Sequence, residues 1–211
     1  MRVLYVCSAG ARRSAALAAY SNHFKAKAGI KDCEFAHAAI DESKRTRDLE
    51  KRVKRLATLR KAGFGRYRGL VDRLSLGNND VHPRMGVLLL ADGIYEVADQ
   101  KMMIFTPELR RDFDLVLAVE SILKYQIIGL STNGGSNDST QSNGYTNGKV
   151  YTVKEFLGYP PSERDIRDIK NYYLPFAWYQ MWEDRNMRDD LKRIAIKVVR
   201  KISEMKTSAR A

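Results

Sequence analysis

Cys7-Ser8-Ala9-Gly10-Ala11-Arg12-Arg13-Ser14 sets a thiol and a guanidinium six positions apart, directly after the apolar run Val3-Leu4-Tyr5-Val6 and directly before an alanine-rich stretch. A strand, a tight loop and a helix N-terminus in that order suit a phosphate-binding loop with a built-in nucleophile. Backbone N–H groups of a loop that opens a helix converge on an anion, and the helix dipole adds favourable potential at the same spot. That potential favours a thiolate, the nucleophilic form of cysteine. The spacing alone is a weak signal, because arginine is frequent in this chain. Its position carries more weight, since open α/β sheets place ligands outside the carboxyl ends of their strands. The plainer reading makes Cys7 a small buried apolar residue at a strand end, with Arg12 and Arg13 as solvated charges.

The elements that must hold this loop can be read from periodicity. A first strand is expected over Arg2 to Val6, a helix from about Arg13 to Ala28, and a second strand near Glu34 to Ile40. A helix follows over roughly Arg84 to Ala91. Gly93 to Val97 then turns toward Gln100 to Phe105, Thr106 to Arg111 forms a short helix, and Leu115 to Val119 a further strand. Leu191, Ile194, Ala195, Val198, Val199 and Ile202 recur at helical spacing and define a C-terminal helix that covers a sheet. Strands alternating with helices predict a doubly wound parallel sheet of about four strands with helices on both faces. Residues 131–148, rich in Ser, Asn, Gly and Thr, read as a flexible surface loop. All 211 residues are expected to form one domain.

The formal net charge of +12 is concentrated. Lys44 to Arg73 holds twelve basic residues against three acidic ones, and Leu49, Val53 and Leu56 fall at i, i+4 and i+7 within it. One or two amphipathic basic helices are expected at about 43–80, packed by their apolar stripe. Three roles compete for this charge: a solvated helix face, electrostatic steering of phosphorylated substrates, and contact with nucleic acid or an anionic membrane. No run approaches the roughly 18 apolar residues that a membrane span needs. The start of the chain lacks the basic and apolar pattern of a secretory signal, and two cysteines fit a reducing, cytoplasmic setting better than a disulfide scaffold.

The Cys7 to Ser14 loop resembles the signature of the low-molecular-weight protein tyrosine phosphatases, a near-N-terminal Cys-x5-Arg-Ser after a first strand. Thr106-Pro107-Glu108-Leu109 with Phe113 to Val119, and Lys149 to Leu157, resemble later segments of that fold in the same order. The resemblance implies a cysteine-dependent phosphatase of the phosphotyrosine protein phosphatase I type with no cofactor, acting on protein phosphotyrosine through a phosphocysteine. Cys7 would be the nucleophile, Arg13 the phosphate clamp and Ser14 the hydroxyl that serves the thiolate. Ser8, Ala9, Gly10, Ala11, Arg12, Arg13 and Ser14 would bind the phosphate. Asp165-Ile166-Arg167-Asp168 falls at the acid loop, making Asp168 the general acid with Asp165 the alternative.

The departures from the family pattern are specific. Ala9-Gly10 stands where the family carries Gly-Asn, His37-Ala38-Ala39 replaces a Ser-Ala-Gly bracing strand, Arg12 replaces a second cysteine, and no proline follows Asp168. His37 is expected to be a core residue, or else to re-make the lost brace. Tyr172 and Tyr173, in an aromatic stretch running to Trp182, wall a pocket or fill core. Ala11, small at a position that helps set substrate width, keeps phosphoarginine and small phosphorylated metabolites open. An arsenate reductase is disfavoured, since only Cys33 remains to relay a disulfide. A non-catalytic phosphate or nucleic-acid binding module on the same fold is the reading from another class.

Overall fold

Val3 to Cys7 are all buried, as expected of a central strand covered on both faces. In the computed structural model they belong to β1 (Arg2–Cys7), flanked in parallel by β2 (Glu34–Ala39) and β4 (Leu115–Ala118), with Leu4 opposite both Ala36 and Val116. The structure describes residues 1–61, 68–76, 79–99, 101–132, 150–166 and 177–208. Two short edge strands, β3 (Met103–Ile104) and β5 (Val150–Thr152), complete an all-parallel sheet of order β3-β2-β1-β4-β5. The sheet therefore has five strands rather than about four. The additional edge strand β3 is two residues long, too short for alternation to announce it. It pairs with Ala38 and Ala39, and Phe105 N–H then bonds the Ala39 carbonyl at 2.7 Å.

α1 (Arg13–Lys27) is alanine-rich, which favours helix, and its last turn carries Lys25 and Lys27, which suit the negative end of the dipole. It packs against α8 (Ala177–Ser208), whose Leu191, Ala195, Val198 and Ile202 are buried. Where one or two basic helices are expected, the described residues form α2 (Glu42–Lys61) and α3 (Arg68–Leu76), followed by α4 (Pro83–Ala91) with proline in its first turn. Leu56 and Leu59 of α2 are buried, as are Val71 and Leu74 of α3. Gly86 lets α3 close on α4, for a Cβ there would lie 2.8 Å from Leu74 Cδ1. Inward-facing arginines are held by the protein itself: Arg45 pairs with Asp80 at 3.7 Å, and Arg52 donates to the Leu74 carbonyl and Asn79 Oδ1.

α5 (Pro107–Arg111) starts at Thr106, whose hydroxyl accepts from Leu109 N–H, and α7 (Val153–Phe156) starts with a capping box between Thr152 and Glu155. α6 (Ser121–Thr132) has no counterpart among the sequence expectations. Its apolar residues lie on both sides, Leu123 and Ile127 buried but Ile122, Tyr125 and Leu130 exposed, so no clean stripe betrays it. Ser131 and Thr132 end α6; the remainder of the expected loop, and Tyr172 and Tyr173, lie outside the described residues. No described helix is long and apolar enough to cross a membrane.

Candidate active site

The strand order reverses around β1, and this is where an open parallel sheet forms its crevice. Cys7 is the last residue of β1, opposite Ala39 of β2. Beyond it the loop is pinned by main-chain bonds from Ile40 N–H to the Cys7 carbonyl and from Asp41 N–H to the Ser8 carbonyl. Gly10 sits at φ +69, and a Cβ there would meet Met102 Sδ at 1.8 Å and Ala39 N at 2.9 Å. Only glycine fits both the backbone conformation and the space. α1 opens directly after the loop, and no side chain caps its N-terminus.

Inside the loop Cys7 Sγ lies 3.1 Å from Gly10 N and 3.1 Å from Ser14 Oγ. Ser14 Oγ is also 3.1 Å from the Gly10 carbonyl. His37 answers the question its sequence position raised: its Nδ1 lies 2.9 Å from that same carbonyl. A carbonyl only accepts, so Nδ1 carries the proton. Burial pushes the His37 pKa down to about 4, which keeps the ring neutral. The Gly10 carbonyl thus has a donor other than Ser14, and the single Ser14 proton is available to Cys7. His37 is a buried residue that braces the loop through the Gly10 carbonyl.

A second brace was not legible beforehand. His82, buried just before α4, donates its main-chain N–H to the Ala11 carbonyl at 2.7 Å, and its Nε2 accepts from Arg12 Nη2 at 3.0 Å. Burial, aided by the Arg12, Arg55 and Arg84 charges, holds its pKa well below the usual histidine range. Arg12 is therefore tied back to the scaffold. Ala11 is itself buried and is not among the residues that line the cleft.

Arg13 is buried, and its Nη1 is held by the Glu120 carboxylate and, at 2.7 Å, by the Ile166 carbonyl. Glu120 was also missed; its position just beyond the carboxyl end of β4 is the signal that could have found it. Ile166 is anchored in turn by its N–H on the Val119 carbonyl at 2.8 Å. Asp165 turns its carboxylate to α6, accepting from Ser121 N at 2.6 Å and Ser121 Oγ at 2.7 Å, which is a helix-capping arrangement. Asp168 lies outside the described residues.

Cys7, Ser8, Ala9, Arg12 and Arg13 form one side of a cleft of about 200 Å³, and Lys44, Asp48 and Arg55 of α2 form the other. This is below the roughly 300 Å³ at which sites for whole drug-sized ligands begin, and suits a phosphoryl group with the start of its ester. Both nitrogens of the Arg55 fork lie 3.1 Å from Asp48 Oδ1. The basic helix expected from the sequence is thus a wall of the cleft, which no local motif announced.

No family model and no curated protein matches the sequence. Solved structures do match the fold. The YwlE arginine phosphatase from Geobacillus stearothermophilus superposes with a TM-score of 0.61 at 17% identity, over 98% of this chain and 96% of that one. A low-molecular-weight protein tyrosine phosphatase from Bacillus subtilis gives 0.58 at 16%, over 97% and 98%. Wzb of Vibrio vulnificus, in complex with benzylphosphonate, gives 0.57 at 13%, over 95% and 97%. The fold is that of the low-molecular-weight protein tyrosine phosphatases, as the loop resemblance implied.

Proposed function

We propose that this chain is a cysteine-dependent phosphatase that hydrolyses a phosphate monoester, with protein phosphotyrosine as the first candidate substrate. The observation that carries the reading is Cys7 Sγ at the end of β1, within 3.1 Å of both Gly10 N and Ser14 Oγ, facing a small cationic cleft at an uncapped helix N-terminus. Phosphoryl transfer passes through a loose transition state with charge spread over three oxygens, so positioning and electrostatics do most of the work. Loop amides and the planar Arg13 fork engage those oxygens, while Glu120 and the Ile166 carbonyl fix the plane of the guanidinium. Cys7 Sγ bonds to phosphorus as the ester oxygen leaves, and water then cleaves the phosphocysteine to release phosphate.

The leaving oxygen needs a proton. Asp168 is the donor in this reading, because it falls at the acid loop in the sequence resemblance and Asp165 is engaged in capping α6. The same carboxylate then activates the water. Cys7 must stay reduced for this chemistry, which fits a cytoplasmic setting. Support for the general activity comes from the neighbours' fold; tyrosine over arginine phosphate rests on the sequence resemblance alone.

Hydrolysis of an aryl phosphate in reductant tests the reading. Turnover is expected to vanish in Cys7→Ser and to fall about 10²- to 10⁴-fold in Asp168→Asn, the range for loss of a general acid. A wild-type protein that binds inorganic phosphate without turning over the ester would establish the non-catalytic module instead.

A further inference from the structure

α2 carries two kinds of basic residue. Arg45 and Arg52 point inward and are held by Asp80, Asn79 and the Leu74 carbonyl. Lys44, Arg47, Lys51 and Lys54 are exposed. Their spacing of i, i+3, i+7 and i+10 puts them in one row along the helix, about 15 Å long. Lys44 meets only Asp41, at 3.4 Å, and Arg47 a main-chain carbonyl, while Lys51 and Lys54 have no acidic partner among the described residues. The row starts inside the cleft, because Lys44 lines it with Asp48 and Arg55. Glu42 lies on another face of α2, while exposed Glu50 borders the row, three residues after Arg47 and four before Lys54, without an ion pair to either among the described residues.

We propose that this row is a docking surface for an acidic stretch of polypeptide flanking the phosphorylated residue held in the Cys7 loop. The proposal rests on the phosphatase reading above. Charge complementarity selects an anionic partner, and the row's continuity with the cleft makes that partner the substrate itself. A membrane surface fits poorly, since the apolar side chains Leu56 and Leu59 of α2 are buried against the protein and offer nothing to insert. A nucleic acid fits less well than a peptide for a local reason. Asp48 stands at the cleft wall where the row begins, and a polymer with an anion on every unit must bring its second charge past that carboxylate. A peptide can leave the neighbouring position uncharged and place its carboxylates farther along, opposite Arg47, Lys51 and Lys54. The row also lacks the aromatic platforms on which bases stack.

Two peptides with one phosphotyrosine each, flanked on one side by glutamates or by glutamines, test this against an aryl phosphate. Wild-type protein and the variant Arg47→Gln/Lys51→Gln/Lys54→Gln are assayed at low and high salt. The expected result is a kcat/KM about 10-fold or more higher for the glutamate peptide at low salt, lost in the variant and at high salt, with aryl phosphate turnover unchanged. Equal use of both peptides by the wild-type protein overturns the docking proposal while leaving the phosphatase standing. No aryl phosphate turnover by the wild-type protein overturns the phosphatase reading first, and the proposal with it. Binding to full-length Cys7→Ser separates the polymers: an oligothymidylate held more tightly than the glutamate peptide, and released by the triple variant, overturns the peptide in favour of nucleic acid.

Discussion

Ser14 has one hydroxyl proton and two acceptors within 3.1 Å, Cys7 Sγ and the Gly10 carbonyl. Which acceptor receives it depends on His37, whose Nδ1–H supplies the carbonyl from the other side. His37→Phe removes that donor, draws the Ser14 proton toward the carbonyl and leaves a thiolate less well supported. Alkylation of Cys7 by iodoacetamide near neutral pH is expected to slow about 10-fold, the scale of one lost hydrogen bond to a charged group. Unchanged alkylation in a folded His37→Phe protein would remove His37 from this role. His37 also ties stability to pH. Its folded pKa, about 4, lies below the ordinary 6.5, so the unfolded chain binds the extra proton. The stabilisation is complete above about pH 6.5 and is lost as pH falls toward 4, by about 3 kcal/mol in all. Urea titrations across that window should show the fall in wild type and a weaker one in His37→Phe. Gly10→Ala is expected to be more severe at any pH, because the positive φ and the contact with Ala39 N remain even when Met102 yields. The loop, Cys7, Arg13 and Ser14 were legible in the sequence, since one contiguous motif holds them. Glu120 and His82 were not, because each reaches the loop from more than 60 positions away and carries no motif of its own.

At the scale of elements, the two acidic residues near the loop separate by what they hold. Asp165 caps α6, so Asp165→Ala should cost about 1 kcal/mol of stability, measured by chemical denaturation. Asp165→Asn keeps an acceptor oxygen and is expected to leave aryl phosphate turnover within about 2-fold of wild type. A loss as large as that in Asp168→Asn would make Asp165 the acid and contradict the capping assignment. The long helices were legible for different reasons: α1 is alanine-rich, α8 shows sustained apolar spacing, and the basic helices appeared where Leu56, Val71 and Leu74 demanded burial. α6 and β3 escaped for opposite reasons. One has apolar residues on its exposed side as well, and the other is shorter than the period it would need to display.

For the molecule as a whole, the sheet joins the loop to distant supports. Arg84 of α4 pairs with fully buried Asp184 of α8 at 2.8 Å, bracing the helix that follows His82. Asp184→Ala leaves a largely buried guanidinium without that carboxylate, and a loss of about 3–5 kcal/mol is expected in denaturant unfolding. Cys7 and Cys33 lie at opposite ends of the sheet, since Cys7 faces Ala39 while Cys33 precedes β2. Six residues of strand separate them by about 20 Å, far beyond the roughly 7 Å that a disulfide tolerates. Cys7 and Cys33 are therefore too far apart in this structure for a direct disulfide. The fold class was legible because alternation of strand and helix leaves few topologies for a parallel sheet. The far wall of the cleft was not, because Lys44, Asp48 and Arg55 join Cys7 only once α2 folds across the loop.

The central claim is that Cys7 attacks phosphorus. Rapid acid quenching of the wild-type protein during turnover of an aryl phosphate, followed by mass spectrometry of the Cys7 peptide, tests it directly. Phosphate carried on Cys7, formed and lost at rates compatible with turnover, is the predicted result. Product release with Cys7 never phosphorylated, or turnover that survives Cys7→Ser, would contradict it.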